Sequence, residues 1–276
     1  MSLSPDVIGI ISLYLGRYCL LDWIDPNKLS NKHLSLNPKA IHYLTSNPHK
    51  ILWKQLSMNT EAIDLLAANP DCIDWEWLST NSGAFNLLAA NLNRIDWFWL
   101  STNSAAVSLL ATRPRSTRWD LLSANPGGIS LLRENPDRIY WSMVSSNPAA
   151  IDLLVANPDK IDWDNLSRNP AAINLLSRNI DKIEWQSLSD NPAAISILRE
   201  NLDKIEWGLL SRNPNATSLL VEHPGKIDWY QLSMNASAIE ILYANQDRIN
   251  WDMISKNPAI FELRADPLIV AELFKI

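Results

Sequence analysis

The sequence predicts an all-α solenoid of about eleven two-helix units of 22 residues each, occupying residues 25 to about 260, and three observations predict it. Tryptophan recurs at 53, 75, 97, 119, 141, 163, 185, 207, 229 and 251, nine successive intervals of 22 without a slip. With that Trp as position 1, position 5 is Ser in all eleven units and position 7 is Asn in all eleven, from Ser35 and Asn37 to Ser255 and Asn257. Apolar residues at positions 10, 11 and 14, such as Ala150, Ile151 and Leu154, fall at three- and four-residue spacing and form one helical stripe. A fixed period of this length marks stacked units, none of which buries its apolar face alone.

Residues 1–24 read as an N-terminal capping helix. Ser4-Pro5-Asp6 opens it, and Ile8, Ile11, Leu15 and Tyr18 give it an apolar stripe. The repeat register begins at Asp25-Pro26, and Asn31 takes the place of Trp in the first unit. Within a unit, Asn at position 7 is followed by Pro in seven of eleven cases, which predicts an N-cap with Pro at the first helical position. Asn at position 17 is expected to end that helix in the left-handed conformation. The other half, Asp-Lys-Ile-Asp-Trp-x-x-Leu-Ser, fits a second short helix capped by Asp at position 22. Ile and Trp two apart also fit a brief extended segment, which leaves an α/β solenoid resembling a leucine-rich repeat as the alternative. Residues 261–276, with Asp266-Pro267 starting the last helix, read as a C-terminal cap.

Invariant small polar residues at fixed phase predict a hydrogen-bonded ladder in each unit's own or its neighbour's backbone, because a buried polar group left unsatisfied costs roughly 1–3 kcal/mol. The Trp column is expected to form the spine of the core. Eleven units spaced by roughly 8–10 Å should make a rod or superhelix about 100 Å long. Position 20, mostly Lys or Arg, with acids at 19 and 22, reads as a ladder of exposed ion pairs.

Composition narrows the function. The 276 residues carry a formal charge of −6, 13 Trp, 27 Asn and only 7 Gly. So few glycines argue against a mononucleotide fold, and an acidic chain is a poor nucleic-acid binder. No apolar stretch is long enough to span a membrane. Val7 to Leu15 lacks a basic n-region, so no secretory signal is expected, and Cys19 and Cys72 read as reduced thiols of an intracellular protein. His33, His42, His49 and His223 lack partners at metal-ligand spacing, and no nucleophile elbow, zinc or phosphate-loop motif occurs. The expectation is therefore no catalytic residues, no metal and no cofactor.

Departures from the consensus supply the candidate binding residues. Units three and four place extra Trp77 and Trp99 at position 3, with Phe98 beside the second. They read either as an enlarged core or as an aromatic anchor patch. The next junction, Ala111 to Trp119, loses the Asn, Asp, Ile and Asp of the consensus together. Arg113, Arg115 and Arg118 make a basic spot there that suits an acidic peptide or phosphate, or that is drift in a solvated loop.

The block N-P-x-A-I-x-L-L-x-x-N-x-D-K-I-[DE]-W, as in Asn147 to Trp163, resembles the Asn-Pro/Ile-Asp-Trp 22-residue repeat proteins of giant (nucleocytoplasmic large) DNA viruses. The resemblance covers residues 25 to about 260, and the chain departs from it at Asn31 and across 111–118. It implies no established activity or binding residues. By analogy with the ankyrin proteins such viruses carry, it implies a host protein as partner. Residues 4–22 also resemble the start of an F-box, where Pro-acidic-apolar precedes an apolar helix. The expected function is a non-catalytic repeat scaffold for protein–protein interaction, soluble and intracellular, in the host cytoplasm rather than the virion. The partner is a protein, with neither nucleic acid nor membrane. The alternatives are an architectural self-associating or virion component and a ubiquitin-ligase adaptor.

Overall fold

The computed structural model describes residues 16–265. Each of the ten uninterrupted units holds two short helices, joined by 3-10 or plain turns. In the seventh unit these are Trp163–Arg168, Pro170–Ala172, Ile173–Leu176 and Ile180–Lys182. The chain is thus an α-helical solenoid, and the strand-containing unit is not found within the repeats.

The local chemistry sets each boundary. Two extended residues precede the first helix, and Asp162 at position 22 caps it by accepting from the Asn165 amide at 3.0 Å. Both features expected of that half are therefore present, a brief extended step and then a capped helix. At position 7, Asn147 caps the next turn by accepting from Ala149 N at 2.9 Å, with Pro148 first inside. Position 17 departs from expectation. No non-glycine residue among those described has positive φ, and Asn157 sits at φ −133°, ψ 63°. It ends the helix through its side chain instead, Nδ2 donating to the Leu153 carbonyl at 2.9 Å.

The invariant Ser and Asn form the predicted ladder. Ser145 Oγ donates to the Trp141 carbonyl at 2.9 Å and accepts the Asp162 amide at 3.0 Å, which ties the two halves of one unit. Asn147 Nδ2 donates to the carbonyls of Ser123 and Asn125, both at 3.0 Å, which ties one unit to the preceding one. The spine of the core is leucine rather than tryptophan. Leu154 and Leu166, at positions 14 and 4, and Ala150, at position 10, are fully buried, whereas the periodic Trp residues are half-buried against them. The indole is too large for a layer in which backbones approach within one Asn side chain. It lies at the margin, where position 20 covers it: Lys182 Nζ is 4.8 Å from the Trp163 ring centroid and Lys204 Nζ is 4.6 Å from that of Trp185. Five position-20 cations, Lys28, Arg94, Lys182, Lys204 and Arg248, thus serve Trp faces, whereas Arg138 and Lys160 make weak ion pairs to position 19, each at 3.5 Å. Trp163→Ala is expected to cost about 3 kcal/mol, the low end for aromatic truncation because the ring is half-buried, read by calorimetry.

The solenoid does not run out as a rod. It closes on itself. Asn37, in the first unit, donates to the carbonyls of Ser255 and Asn257 in the last, at 3.2 and 3.1 Å, the same two-bond rung that joins consecutive units elsewhere, the fourth and fifth keeping only its Ser half. The eleventh unit is built from both ends of the described chain. Ser255 Oγ accepts the Ser30 amide at 2.8 Å, as Ser145 accepts Asp162, and Lys28 lies 4.8 Å over the Trp251 ring as Lys182 does over Trp163. Residues 25–30 therefore supply positions 17–22 of a unit begun by residues 251–260. Between the two pieces, β1 (Gly16–Leu20) pairs antiparallel with β2 (Phe261–Ala265), Tyr18 opposite Leu263. The capping helices expected over 1–24 and 261–276 are strands in these described parts. Their remaining expected residues, 1–15 and 266–276, lie outside the described range. A solenoid whose end faces meet each other exposes no apolar end, so polar caps are unnecessary.

Closure fixes which layer is inside. First helices of successive units contact one another, as Trp119–Ala124 does Trp141–Ser145. Second helices stand further apart and leave grooves, such as that lined by Val221, Ile227, Trp229 and Ile241. Of two concentric layers, the inner has the shorter circumference, so the first helices line the bore. Eleven helices roughly 9 Å apart give an opening about 20 Å across once side chains are subtracted.

Candidate functional site

Positions 2, 3 and 6 of the first helices lie opposite the buried positions 4 and 5 and hence face the bore. Around most of it this face mixes polar side chains with scattered apolar ones such as Met58, Leu209, Tyr230 and Met253, and it is laced by polar side chains that reach the next unit. Arg212 pairs with Asp190 at 2.6 Å, Asn165 donates to Ser142 at 3.0 Å, Ser187 bonds Asp164, and His33 bonds Asp252 at 3.0 Å.

Units three and four interrupt this row. Trp77 and Trp99 are half-buried and stacked, with centroids 5.7 Å apart and planes at 25°. Phe98, 38% exposed, meets Trp99 edge-on at 4.9 Å. Lys54 Nζ lies 5.4 Å from Trp77 at one end of the run, and the Arg118 guanidinium 4.4 Å from Phe98 at the other. The apolar arc continues into Tyr140 and Met143, 54% and 42% exposed. Trp77 Nε1 is buried without a hydrogen-bond partner in the structure. The two extra indoles thus widen the packed layer and also present an aromatic surface to the bore.

The three arginines do not form one spot. Arg118 belongs to the aromatic run, where its Nε and a terminal nitrogen bond both oxygens of Asp120 at 2.9 and 2.7 Å. That paired hydrogen bond holds the Asp120 carboxyl below its ordinary range, so the Arg118 charge is already answered. Arg113 covers the Trp97 ring at 4.6 Å, the task of position 20 elsewhere, because position 20 of its unit is Ser116. Arg115 lines an outer groove between the fourth and fifth units, together with Pro114, Thr117, Trp119, Asn135 and Arg138. Sequence reasoning missed Tyr140, Met143 and Lys54 in the bore, and Thr117 and Arg138 in the groove. The usable signal was Tyr140 at position 22, where Asp is the consensus, and Thr117 at position 21, where Ile is.

Among the described residues, no group of three His, Cys, Asp or Glu side chains is placed to hold a metal ion, and no helix is long and apolar enough to cross a membrane. Cys19, half-buried in β1, and Cys72, exposed, are free thiols. No protein-family model matches the chain, nor does any curated protein or solved structure.

Proposed function

We propose that the ring is a non-catalytic module for protein–protein interaction, with the aromatic arc of Trp77, Phe98 and Trp99 as its anchor surface. The observation that carries this reading is that run of packed rings, where the same positions of other units hold only scattered apolar side chains among polar ones. Aromatic side chains held rigid by their neighbours bring large contact area at little further loss of conformational freedom, as binding hot spots do. The resemblance of the repeat to those of giant DNA viruses supports a host protein as the partner.

The test is affinity capture from host lysate with wild type beside a Phe98→Ala/Trp99→Ala variant of matched circular dichroism. The expected result is a partner retained at least about tenfold better by wild type, the loss of one modest hot spot. Equal retention would remove the arc from the interface.

Closure bears on the two alternatives. An architectural protein associating through its ends loses those surfaces, because they meet each other, so self-association would have to use the outer wall. The ligase-adaptor reading depends on residues 4–22. Of these, 4–15 lie outside the described range, and Gly16–Leu20 is the strand that joins Phe261–Ala265. Deleting the segment would open the ring as well as remove the motif, so ligase recruitment is better tested by substituting Pro5 and Asp6.

A further inference from the structure

We propose that the outer groove between the fourth and fifth units is an anion site that receives a phosphorylated side chain of a partner protein. The proposal rests on the protein-binding reading and specifies what one sector of the outer wall recognises. Position 19 of one unit and position 20 of the next line this groove, as Arg115 and Arg138. By the repeat, the same two places hold opposite charges at six of the other ten junctions, as Asp71 with Arg94, Asp159 with Lys182, and Asp181 with Lys204, and nowhere else two arginines or lysines. Most grooves are therefore self-neutralised, and this one carries two cations in a chain of formal charge −6.

The reversal is not a single exchange. Arg113, Arg115, Thr117 and Arg118 replace the consensus Asn, Asp, Ile and Asp at positions 17, 19, 21 and 22. Thr117, 6% exposed, puts a hydroxyl on a wall that is isoleucine or leucine elsewhere, and its one hydrogen bond among the described residues is a long 3.4 Å one to the Arg113 carbonyl. Two of the arginines are committed, Arg113 to the Trp97 face and Arg118 to Asp120. Arg115 has no acceptor among the described residues. Arg138 has only Asp137 at 3.5 Å, both side chains largely in solvent. Two loosely held guanidinium groups, a hydroxyl and the Trp119 indole therefore share a groove of about 520 Å³, room for one side chain and its flanking backbone.

Guanidinium forks match the oxygens of phosphate and carboxylate alike. Charge decides between them. A phosphorylated Ser or Thr carries about −1.5 to −2 at neutral pH, which two arginines balance, whereas a single carboxylate balances one.

The test is a titration of the folded full chain, following arginine Nε–Hε resonances by NMR, with the tripeptide acetyl-Ala-phosphoSer-Ala as probe. The unphosphorylated peptide, acetyl-Ala-Glu-Ala and inorganic phosphate are the comparison arms. The expected result is a saturable shift of the Arg115 and Arg138 signals with both phosphoryl probes in the millimolar range or tighter. The Glu peptide should bind roughly tenfold more weakly and the Ser peptide not at all. Arg115→Asp, which installs the residue that six sibling units carry at this position, should keep the fold and abolish the shifts. The proposal is overturned by no saturable shift at about 10 mM phosphopeptide, by shifts that survive Arg115→Asp, by equal shifts at the sibling residues Arg94 and Arg248, or by equal binding of the Glu peptide. Because the titration needs no partner, its failure with the Phe98/Trp99-dependent capture intact removes the groove alone. Loss of that capture with the titration intact removes the aromatic arc.

Discussion

Spin labels at residues 32 and 256 should report a separation of about 10–20 Å, the spacing of adjacent helices plus label arms, although they stand in the first and last units. An open solenoid of eleven units would place them on the order of 80–100 Å apart. Both native side chains, Lys32 and Lys256, are exposed at positions 2 and 6, so labelling disturbs no core contact. The labels need Cys19 and Cys72 replaced by Ser, because both are free thiols. Residues 230 and 212 provide the internal standard, since they hold the same two positions in the consecutive tenth and ninth units. The seam pair and the internal pair should give overlapping distance distributions by double electron–electron resonance. A seam distribution beyond about 50 Å would mean that the ring is not closed, since no adjacent-helix geometry reaches that far. Truncation after residue 260 removes the partner of Gly16–Leu20 and should broaden the seam distribution while the internal pair stays sharp.

Asn147→Ala should be among the most damaging single substitutions of a polar residue, with its equivalents at position 7, lowering stability by about 2–4 kcal/mol. The side chain is completely buried. It holds three hydrogen bonds, donating to the carbonyls of Ser123 and Asn125 and accepting from Ala149 N. Alanine leaves the Ser123 carbonyl and an amide at a turn start without partners, while the Asn125 carbonyl keeps the Gly128 amide at 2.9 Å; each orphan costs roughly 1–3 kcal/mol, partly relieved by relaxation. Asn147→Asp, nearly isosteric, should be no better, because it turns a donor into an anion facing two carbonyl oxygens. Asn157→Ala provides the contrast. That residue is half-buried and makes one capping bond within its own unit, so about 1 kcal/mol is expected. The comparison is read by urea unfolding. A similar loss for both Asn residues would mean that the inter-unit rung adds nothing beyond a local cap.

The fold was legible where a residue's role lies within one unit or between neighbours. Period, N-caps, the Ser/Asn ladder and the two short helices all follow from residues fewer than 25 positions apart. Curvature did not. It arises from the difference in width between a first-helix layer joined by Asn rungs and a second-helix layer held apart by Leu, Ile and the half-buried Trp. Small angles per unit that sum to a full turn leave no mark in any single unit. The visible trace was the register beginning at Asp25-Pro26 with an incomplete unit, while the chain leaves the same register after Ile260. Read together, the two fragments complete one repeat. The three arginines looked like one patch because they are close in sequence. A junction that passes between the outer groove and the bore within a few residues separates them.

The split eleventh unit also sets the order in which the protein can assemble. Ten units need only nearest neighbours, with rungs that span 22 or 24 residues, as Asn147 to Asn125 and Ser123 do. They can accrete as the chain leaves the ribosome. The seam pairings span 218 to 249 residues, so residues 16–30 wait without their partners until residues 251–265 have been made. The wait is thermodynamically mild, since tenfold greater loop length adds only about 2 kcal/mol of closure entropy. Its kinetic consequence is larger, because long-range pairing is the slow class of contact. Refolding should therefore show a rapid phase in which the units stack and a separate, slower phase in which the seam labels approach. During the interval between them, the unpaired edge of Gly16–Leu20 is exposed and open to pairing with the Phe261–Ala265 strand of a second chain.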